Sequence, residues 1–176
     1  RAVDLINGEL CLGVLNFPFA RSRLERAGIR PDKLFDCYPV VNYRLFHNEG
    51  ANGDEIMNFG ACIPKKRMED FLDLAMTAPK MRFNLYALGY RVEELRELAK
   101  NRNSPVHFNL PLELEEMPAA YKQHRWLVYT AAPQGNVGWP LSLAEAQASG
   151  VGVCMANIRG DLRDYVGAAG FLYNTL

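Results

Sequence analysis

The chain has 176 residues, long enough for one domain with an added lobe, and its 20 Lys plus Arg balance 20 Asp plus Glu. A net charge of zero means that no overall field draws it to nucleic acid or to an anionic membrane. A hydrophobic share of 49% supplies a full core and excludes a disordered chain.

In chain order, residues 10–15 form an apolar run carrying Gly13, which predicts a strand, and Asn16-Phe17-Pro18 predicts a turn. Residues 22–27 predict a short helix that stops at Gly28, with Pro31 close behind. A second strand is predicted over 34–41, and Pro39 pushes it toward a sheet edge or a connection. Residues 42–52 are polar with Phe46 as their one large anchor, and Ala51-Asn52-Gly53-Asp54 marks a loop.

From Glu55 a regular alternation begins. Strands are predicted over 56–63, 81–88, 106–110, 126–131, 151–155 and 170–173. Helices are predicted between them over 64–78, 92–100, 114–122, 140–149 and 159–166. The first of these helices carries Met68, Phe71, Leu72 and Ala75 on one stripe. Strands alternating with helices predict an α/β fold, a Rossmann-like three-layer domain with a mostly parallel sheet. In such sheets ligands bind beyond the carboxyl ends of the strands, near the point where strand order reverses. That rule selects the loops at 60–66, 89–90, 109–111 and 133–141.

The last of these loops opens the most informative stretch, PQGNVGWPLSLAEAQASGVGVCM over 133–155. Gly135 and Gly138 lie in the loop, Pro140 suits a first helical turn, and Gly150 ends the helix. A glycine-bearing loop that opens a helix leaves backbone N–H groups unpaired at the positive end of the helix dipole, a candidate anion site. Glu145 lies about one turn inside, too far in to be a cap. Spacing alone leaves a glycine-rich turn with a solvated glutamate equally open.

Cys11, Cys37, Cys62 and Cys154 are scattered without a CxxC pair, and His47, His107 and His124 lack metal-ligand spacing. No metal site is expected, and the thiols are expected to be reduced and buried, as in a cytoplasmic protein. Neither a secretory leader nor an apolar run of about 18 residues is present in the sequence, so no membrane span is predicted. Opening on Arg rather than Met, the chain reads as a fragment or a processed chain. His107, Trp126 and Tyr129 read as packed residues, as does Trp139, whose place beside the loop also allows it to flank a ligand.

The segment NVGWPLSLAEAQASGVGV resembles the EGFGLPxLEAMAxGxPV signature of retaining glycosyltransferases of the GT-B fold, family 4. Further pieces match in order. CYPVVNYRLF (37–46) is similar to the family's viPNGVDxxxF link, MNFGACIPKKRMEDFLDLA (57–75) to vGRlvpeKGvdlLieA, and NLYALGYRVEELRELA (84–99) to lvGdGpxxxxLxxla. VHFNLPLELEEMPAAYKQHRWLVYTA (106–131) is similar to VxFlGxvxxeelpxlyxxadvfv. The likeness covers about residues 30–176.

The resemblance implies that residues 31–176 are the C-terminal, nucleotide-sugar-binding domain of a hexosyltransferase acting with retention. Residues 1–30 would be the tail of, or the link from, an N-terminal acceptor domain. The donor would be a UDP- or GDP-linked sugar held without a metal or other cofactor. The acceptor, a glycan or a lipid-linked glycan, would meet the N-terminal domain, which would also make any contact with the inner membrane face; the domain itself would be cytoplasmic. Glu145 matches the second glutamate of an E-x7-E motif, which bonds the ribose hydroxyls. The backbone at Gly138, Trp139 and Leu141 matches the diphosphate loop, with Ser142 offering a hydroxyl, because Pro140 has no N–H to give. Lys66 matches the lysine that neutralises the diphosphate and assists its departure. The Asn109 loop matches the backbone that meets the base.

Two departures stand out. The motif's first glutamate falls on Val137, with Gln134 or Asn136 as substitutes for its sugar contact. The family's arginine falls on Ala61, with Lys65 and Arg67 as substitutes for its charge. The alternative reading is therefore a non-catalytic nucleotide-binding or scaffolding module with a decayed donor site; a nucleotide-sugar epimerase is a weaker third.

Overall fold

The computed structural model describes residues 2–133 and 137–174, so Gln134, Gly135 and Asn136 lie outside it. The chain divides into two compact units, Arg1–Val40 and Val41–Leu176. This boundary falls ten residues beyond the expected one at 30/31, because residues 34–36 pair within the first unit.

The first unit contains α1 (Ala2–Asn7), β1 (Val14–Asn16), α2 (Arg21–Arg26) and β2 (Leu34–Asp36), with β1 and β2 parallel. Both strands are shorter than the apolar runs that predicted them, and β2 ends before Pro39, which has no N–H for a ladder. Asn16 Nδ2 donates to Asp36 Oδ1 at 2.9 Å and Arg21 Nε to the same oxygen at 3.0 Å, tying the pair together. Leu15 and Phe35, opposite each other in register, are 74% and 51% exposed.

The second unit begins with α3 (Tyr43–Phe46), a single turn hidden in the polar 42–52 stretch. Asn42 caps it, accepting from the Leu45 N–H, while Phe46 is buried. The alternation follows: β3 (Glu55–Ala61), α4 (Met68–Thr77), β4 (Phe83–Leu88), α5 (Val92–Asn101), β5 (His107–Phe108), α6 (Met117–Lys122), β6 (His124–Tyr129), α7 (Leu141–Ala148), β7 (Gly152–Ala156), α8 (Leu162–Val166) and β8 (Gly170–Tyr173). The six strands from β3 to β8 form one parallel sheet in the order β5-β4-β3-β6-β7-β8. Strand order therefore reverses between β3 and β6, and their carboxyl ends bound the crevice that an open α/β sheet uses for ligands.

Alternation along β4 sorts the two faces. Phe83, Leu85 and Ala87 join Phe71, Leu72 and Ala75 of α4 and Leu95 and Ala99 of α5 in one core. Phe71 is fully buried, edge-on to Phe83 at 5.5 Å, so truncating it to Ala should cost about 3–5 kcal/mol. On the other face, Asn84 Nδ2 lies 3.0 Å from His124 Nε2, and Phe46 meets Tyr121 edge-on at 5.8 Å. Glu55 Oε2 accepts from Asn84 Nδ2 at 2.6 Å, and the His124 Nδ1 lies 2.6 Å from the Ala120 carbonyl. A parallel sheet covered on both faces accounts for the apolar β3, β4 and β6.

Several local expectations are corrected. The helix expected over 64–78 is two elements: a 3-10 turn over Pro64–Lys66, then α4, separated by Arg67 at φ +43° in the left-handed region. Pro140 is the residue before α7 rather than in its first turn, with ψ 128°. His107 is exposed rather than packed, since β5 is a two-residue edge strand. Of the four cysteines, all free, only Cys62 is fully buried. No helix among the described residues is long and apolar enough to cross a membrane.

Candidate donor site at the strand-order switch

Lys66 ends the 3-10 turn that follows β3, so it stands at the carboxyl edge of the sheet on one side of the switch point. Its Nζ lies 5.0 Å from the centroid of the Tyr129 ring, the last residue of β6, which places the ammonium at the adjacent strand end. Gly60 makes that position possible: at φ +132° it has no Cβ, and one added there would stand 2.2 Å from Lys66 Nζ. Burial, and then the charge of Lys65, hold the ammonium below its ordinary range, and no carboxylate offsets this among the described residues. Among the described residues, the charge of this half-buried cation is met only by an aromatic face.

The loops after β3 and β6 are joined. Thr130 Oγ1 donates to the Lys66 carbonyl at 2.6 Å and accepts from Asn58 Nδ2 at 3.1 Å. The Ala132 N–H donates to the Lys65 carbonyl at 2.9 Å. Thr130 and Asn58 are both buried, so this latch lies in low dielectric, where its hydrogen bonds are strong and a broken one is expensive. Arg67, considered as a second cation, is instead paired with Asp70 at 2.6 Å. It lines a separate cleft with Asp70, Ala131, Asn157 and Tyr173 that includes none of the predicted site residues.

Across the switch point, α7 follows β6, and its first N–H groups have no partner within the helix. The loop before it is braced from the far side. Arg159 Nη1 donates to the Val137 carbonyl at 2.5 Å, and Tyr165 Oη donates to the Pro140 carbonyl at 2.6 Å. Trp139 Nε1 donates to Asp161 Oδ2 at 2.6 Å, and its ring stacks on Tyr165 at 4.9 Å and 5°. The Trp139 side chain is thus buried packing. Asp161 also binds Arg159, whose guanidinium and the Trp139 indole hold its carboxyl below the usual range against the opposing effect of burial. Val137 itself is buried.

Glu145, in the second turn of α7, is 7% exposed rather than solvated. Tyr121 Oη donates to its Oε2 at 3.0 Å and lies 3.2 Å from the Ser142 carbonyl. Burial raises the Glu145 carboxyl and the Tyr121 hydrogen bond opposes that shift. Burial foremost, then the Glu145 charge, hold the Tyr121 phenol well above its usual range. Ser142 is buried one turn earlier on the same helix.

Asn109 follows β5, separated from β3 by β4. Its Nδ2 donates to Asn84 Oδ1 at 3.2 Å, and it lines a cleft with Tyr86, Leu110, Leu112, Ala119 and Gln123. The structure thus brings Lys66 and the α7 start to the ends of neighbouring strands, with Asn109 farther along the sheet. The sequence reading missed Asn58, Thr130, Tyr121, Arg159 and Tyr165. Each acts through a hydrogen bond to a distant segment, and nothing local marks it. No group of His, Cys, Asp or Glu among the described residues is arranged to hold a metal ion.

No family model matches the sequence, and no curated protein matches it. Solved structures do. Anabaena HepE in complex with UDP-glucose is 21% identical at a TM-score of 0.77, over 99% of this chain and 52% of that one. The C-terminal domain of a glycosyl transferase group 1 family protein, LpcC from Francisella tularensis, is 18% identical at 0.58, over 77% of this chain and 80% of that one. The pneumococcal O-GlcNAc transferase GtfA, in complex with UDP and GlcNAc, is 15% identical at 0.71, over 98% of this chain and 36% of that one. The chain spans about half the length of HepE and about a third of GtfA. The fold is the Rossmann-like α/β domain that forms the C-terminal half of GT-B glycosyltransferases.

Proposed function

We propose that Val41–Leu176 binds the donor of a glycosyltransferase, a nucleotide-sugar with its diphosphate between Lys66 and the amides that open α7. The observation that carries this reading is the Lys66 ammonium at the switch point, offset by no carboxylate among the described residues, on a loop latched to the end of β6. A phosphate about 4 Å from that ammonium gains on the order of 4 kcal/mol at an effective dielectric constant near 20. The amides of Gly138, Trp139 and Leu141 and the hydroxyl of Ser142 complete the anion site, and Pro140 contributes no N–H. The Asn109 loop meets the base, in the cleft it lines. The likeness to structures solved with UDP or UDP-glucose supports a uridine nucleotide over a guanosine one.

Cleavage of a glycosyl–phosphate bond gathers negative charge on the departing diphosphate. Lys66 and the amides stabilise that charge more than the intact donor, which is what lowers a barrier. Glu145 takes the ribose hydroxyls through the carboxylate edge left by Tyr121, which orients it. The transfer is of a hexose, with retention, to a glycan or lipid-linked acceptor, and needs no metal. The exposed Leu15 and Phe35 face of the two-stranded β1–β2 sheet supports residues 1–40 as part of a larger acceptor-side domain, since parallel sheets are ordinarily covered. Calorimetric titration of UDP into the chain and into its Lys66→Ala variant tests the donor site. Binding by the wild type that the variant loses is expected; equal heats from both would refute it.

A second reading has its own observation. Buried Val137 in place of a carboxylate, together with Glu145 bonded to Tyr121, describes a site that keeps its architecture without turnover. Such a module would bind UDP yet release no sugar from UDP-glucose, even with its partner domain present.

A further inference from the structure

We propose that Arg159 and Tyr165 are positioning residues that set two peptide planes of the loop before α7, so that its amides rather than its carbonyls face the donor diphosphate. The inference rests on the donor-binding reading above and adds the groups that make the loop an anion receptor.

In a planar trans peptide the carbonyl oxygen and the following N–H point in opposite directions. Arg159 Nη1 holds the Val137 carbonyl, so the Gly138 N–H points away from Arg159. Tyr165 Oη and, at 3.1 Å, the Leu143 N–H together hold the Pro140 carbonyl, so the Leu141 N–H points away from both. Both holding groups follow β7: Arg159 shortly beyond its end and Tyr165 within α8. In the strand order β3-β6-β7, the loop after β6 lies between those after β3 and β7. The Val137 carbonyl, drawn to the β7 side, therefore turns the Gly138 amide toward the β3 side, where Lys66 stands. The Pro140 carbonyl also closes the first bond of α7 and leaves the Leu141 amide at the open end of that helix.

The brace is itself held. Asp161 accepts from Arg159 Nη2 at 3.0 Å and from Trp139 Nε1 at 2.6 Å, while the Trp139 ring lies flat on Tyr165. Without it, Gly138 has the backbone freedom to turn its plane over, presenting a carbonyl to an incoming phosphate. That is repulsion where attraction is needed.

The test is an NMR titration of the 176-residue chain with UDP and, separately, with uridine, following the Gly138 and Leu141 amide resonances. Tyr165→Phe keeps the stacked ring and removes only the hydroxyl. Arg159→Lys keeps the charge and removes the fork that reaches both Val137 and Asp161. Each is expected to weaken UDP on the order of tenfold, the equivalent of one well-placed hydrogen bond, while leaving uridine affinity as it was. The two amide shifts on UDP addition should shrink in both variants. UDP affinity within twofold of wild type in both variants overturns the inference, as does an equal loss of UDP and uridine. Where Tyr165→Phe melts too low to titrate, Arg159→Lys decides by the same comparison. A wild type that shifts with neither ligand removes the donor-binding reading and this one with it. A wild type that binds through Lys66 but ignores both substitutions removes this one alone.

Discussion

The ammonium of Lys66 sits 5.0 Å from the centre of the Tyr129 ring, over the glycine at 60 whose missing side chain leaves it room. Placing an alanine at 60 therefore strains the backbone at φ +132° and pushes the cation off the ring. Gly60→Ala is expected to weaken UDP at least tenfold while Lys66→Arg, longer and forked, only partly preserves binding. Calorimetry on the two variants checks this. Undiminished affinity in Gly60→Ala would show that the position of Nζ does not matter.

Lys66 should also tax the fold. Burial depresses its folded-state pKa below the ordinary value of 10.5, so the folded chain holds fewer protons than the unfolded one between those two values. Stability from this group therefore rises with pH across that window and is lowest below it. Lys66→Met should raise the melting temperature by a few degrees at neutral pH, an advantage that shrinks as pH climbs toward 10.5. Thermal melts of both proteins along a pH series measure it; a pH-independent difference argues against a desolvated ammonium.

The Tyr121–Glu145 pair gives the opposite sign. The raised Glu145 carboxyl means that the folded chain retains a proton the unfolded one has lost above the ordinary value of 4.5. Stability from it is greatest at low pH and falls as pH rises through the folded value. Glu145→Gln is expected to melt higher than wild type at pH 7 and to converge with it near pH 4. Tyr121→Phe removes the single hydroxyl that donates to Glu145 and lies 3.2 Å from the Ser142 carbonyl, at a cost of about 1–3 kcal/mol in a urea titration. A neutral Tyr121→Phe would mean that water replaces the phenol.

Thr130 is where stability and binding meet. Thr130→Val keeps the shape but leaves the Lys66 carbonyl and Asn58 without their shared hydroxyl, costing about 1–3 kcal/mol. Because the lost bond anchors the Lys66 backbone, UDP affinity should fall several-fold as well. Chemical denaturation paired with calorimetry reads both; a stability loss with unaltered affinity would separate the latch from the site.

His124 is fully buried, and burial depresses its pKa below the ordinary value of 6.5, although the Ala120 carbonyl and then Glu55, 3.9 Å away, oppose the shift. The unfolded chain then takes up the proton first as pH falls. Stability should decline as pH drops below about 6.5, and less steeply in His124→Gln. Arg82 faces the same Glu55 carboxylate, so Arg82→Ala should strengthen the hold of Glu55 on the imidazole and soften the decline. Melting curves between pH 5 and 8 test the pair.

The alternation from Glu55 onward was readable because each element there buries a stripe or face whose period survives in the sequence, as Met68, Phe71, Leu72 and Ala75 do in α4. Where an element is too short to complete a period, the signal vanishes: α3 is one turn with Phe46 its only buried residue. Arg67 breaks the expected 64–78 helix without a glycine or proline to announce it. The positions of Lys66 and Ser142 at a common sheet edge follow from topology and were legible. The partners that aim the site were not, since Tyr121 reaches Glu145 across 24 residues and Arg159 reaches Val137 across 22.

The hydroxyl of Thr130 fastens the turn bearing Lys66 to the strand that leads into α7, and Ala132 fastens it again at Lys65. The turn after β3 and the end of β6 are consequently joined before any guest arrives. The entropy of ordering them is lost once, as the sheet forms, so little remains to be lost on association. Any closure over a guest would then have to come from elsewhere than this joined edge of the sheet.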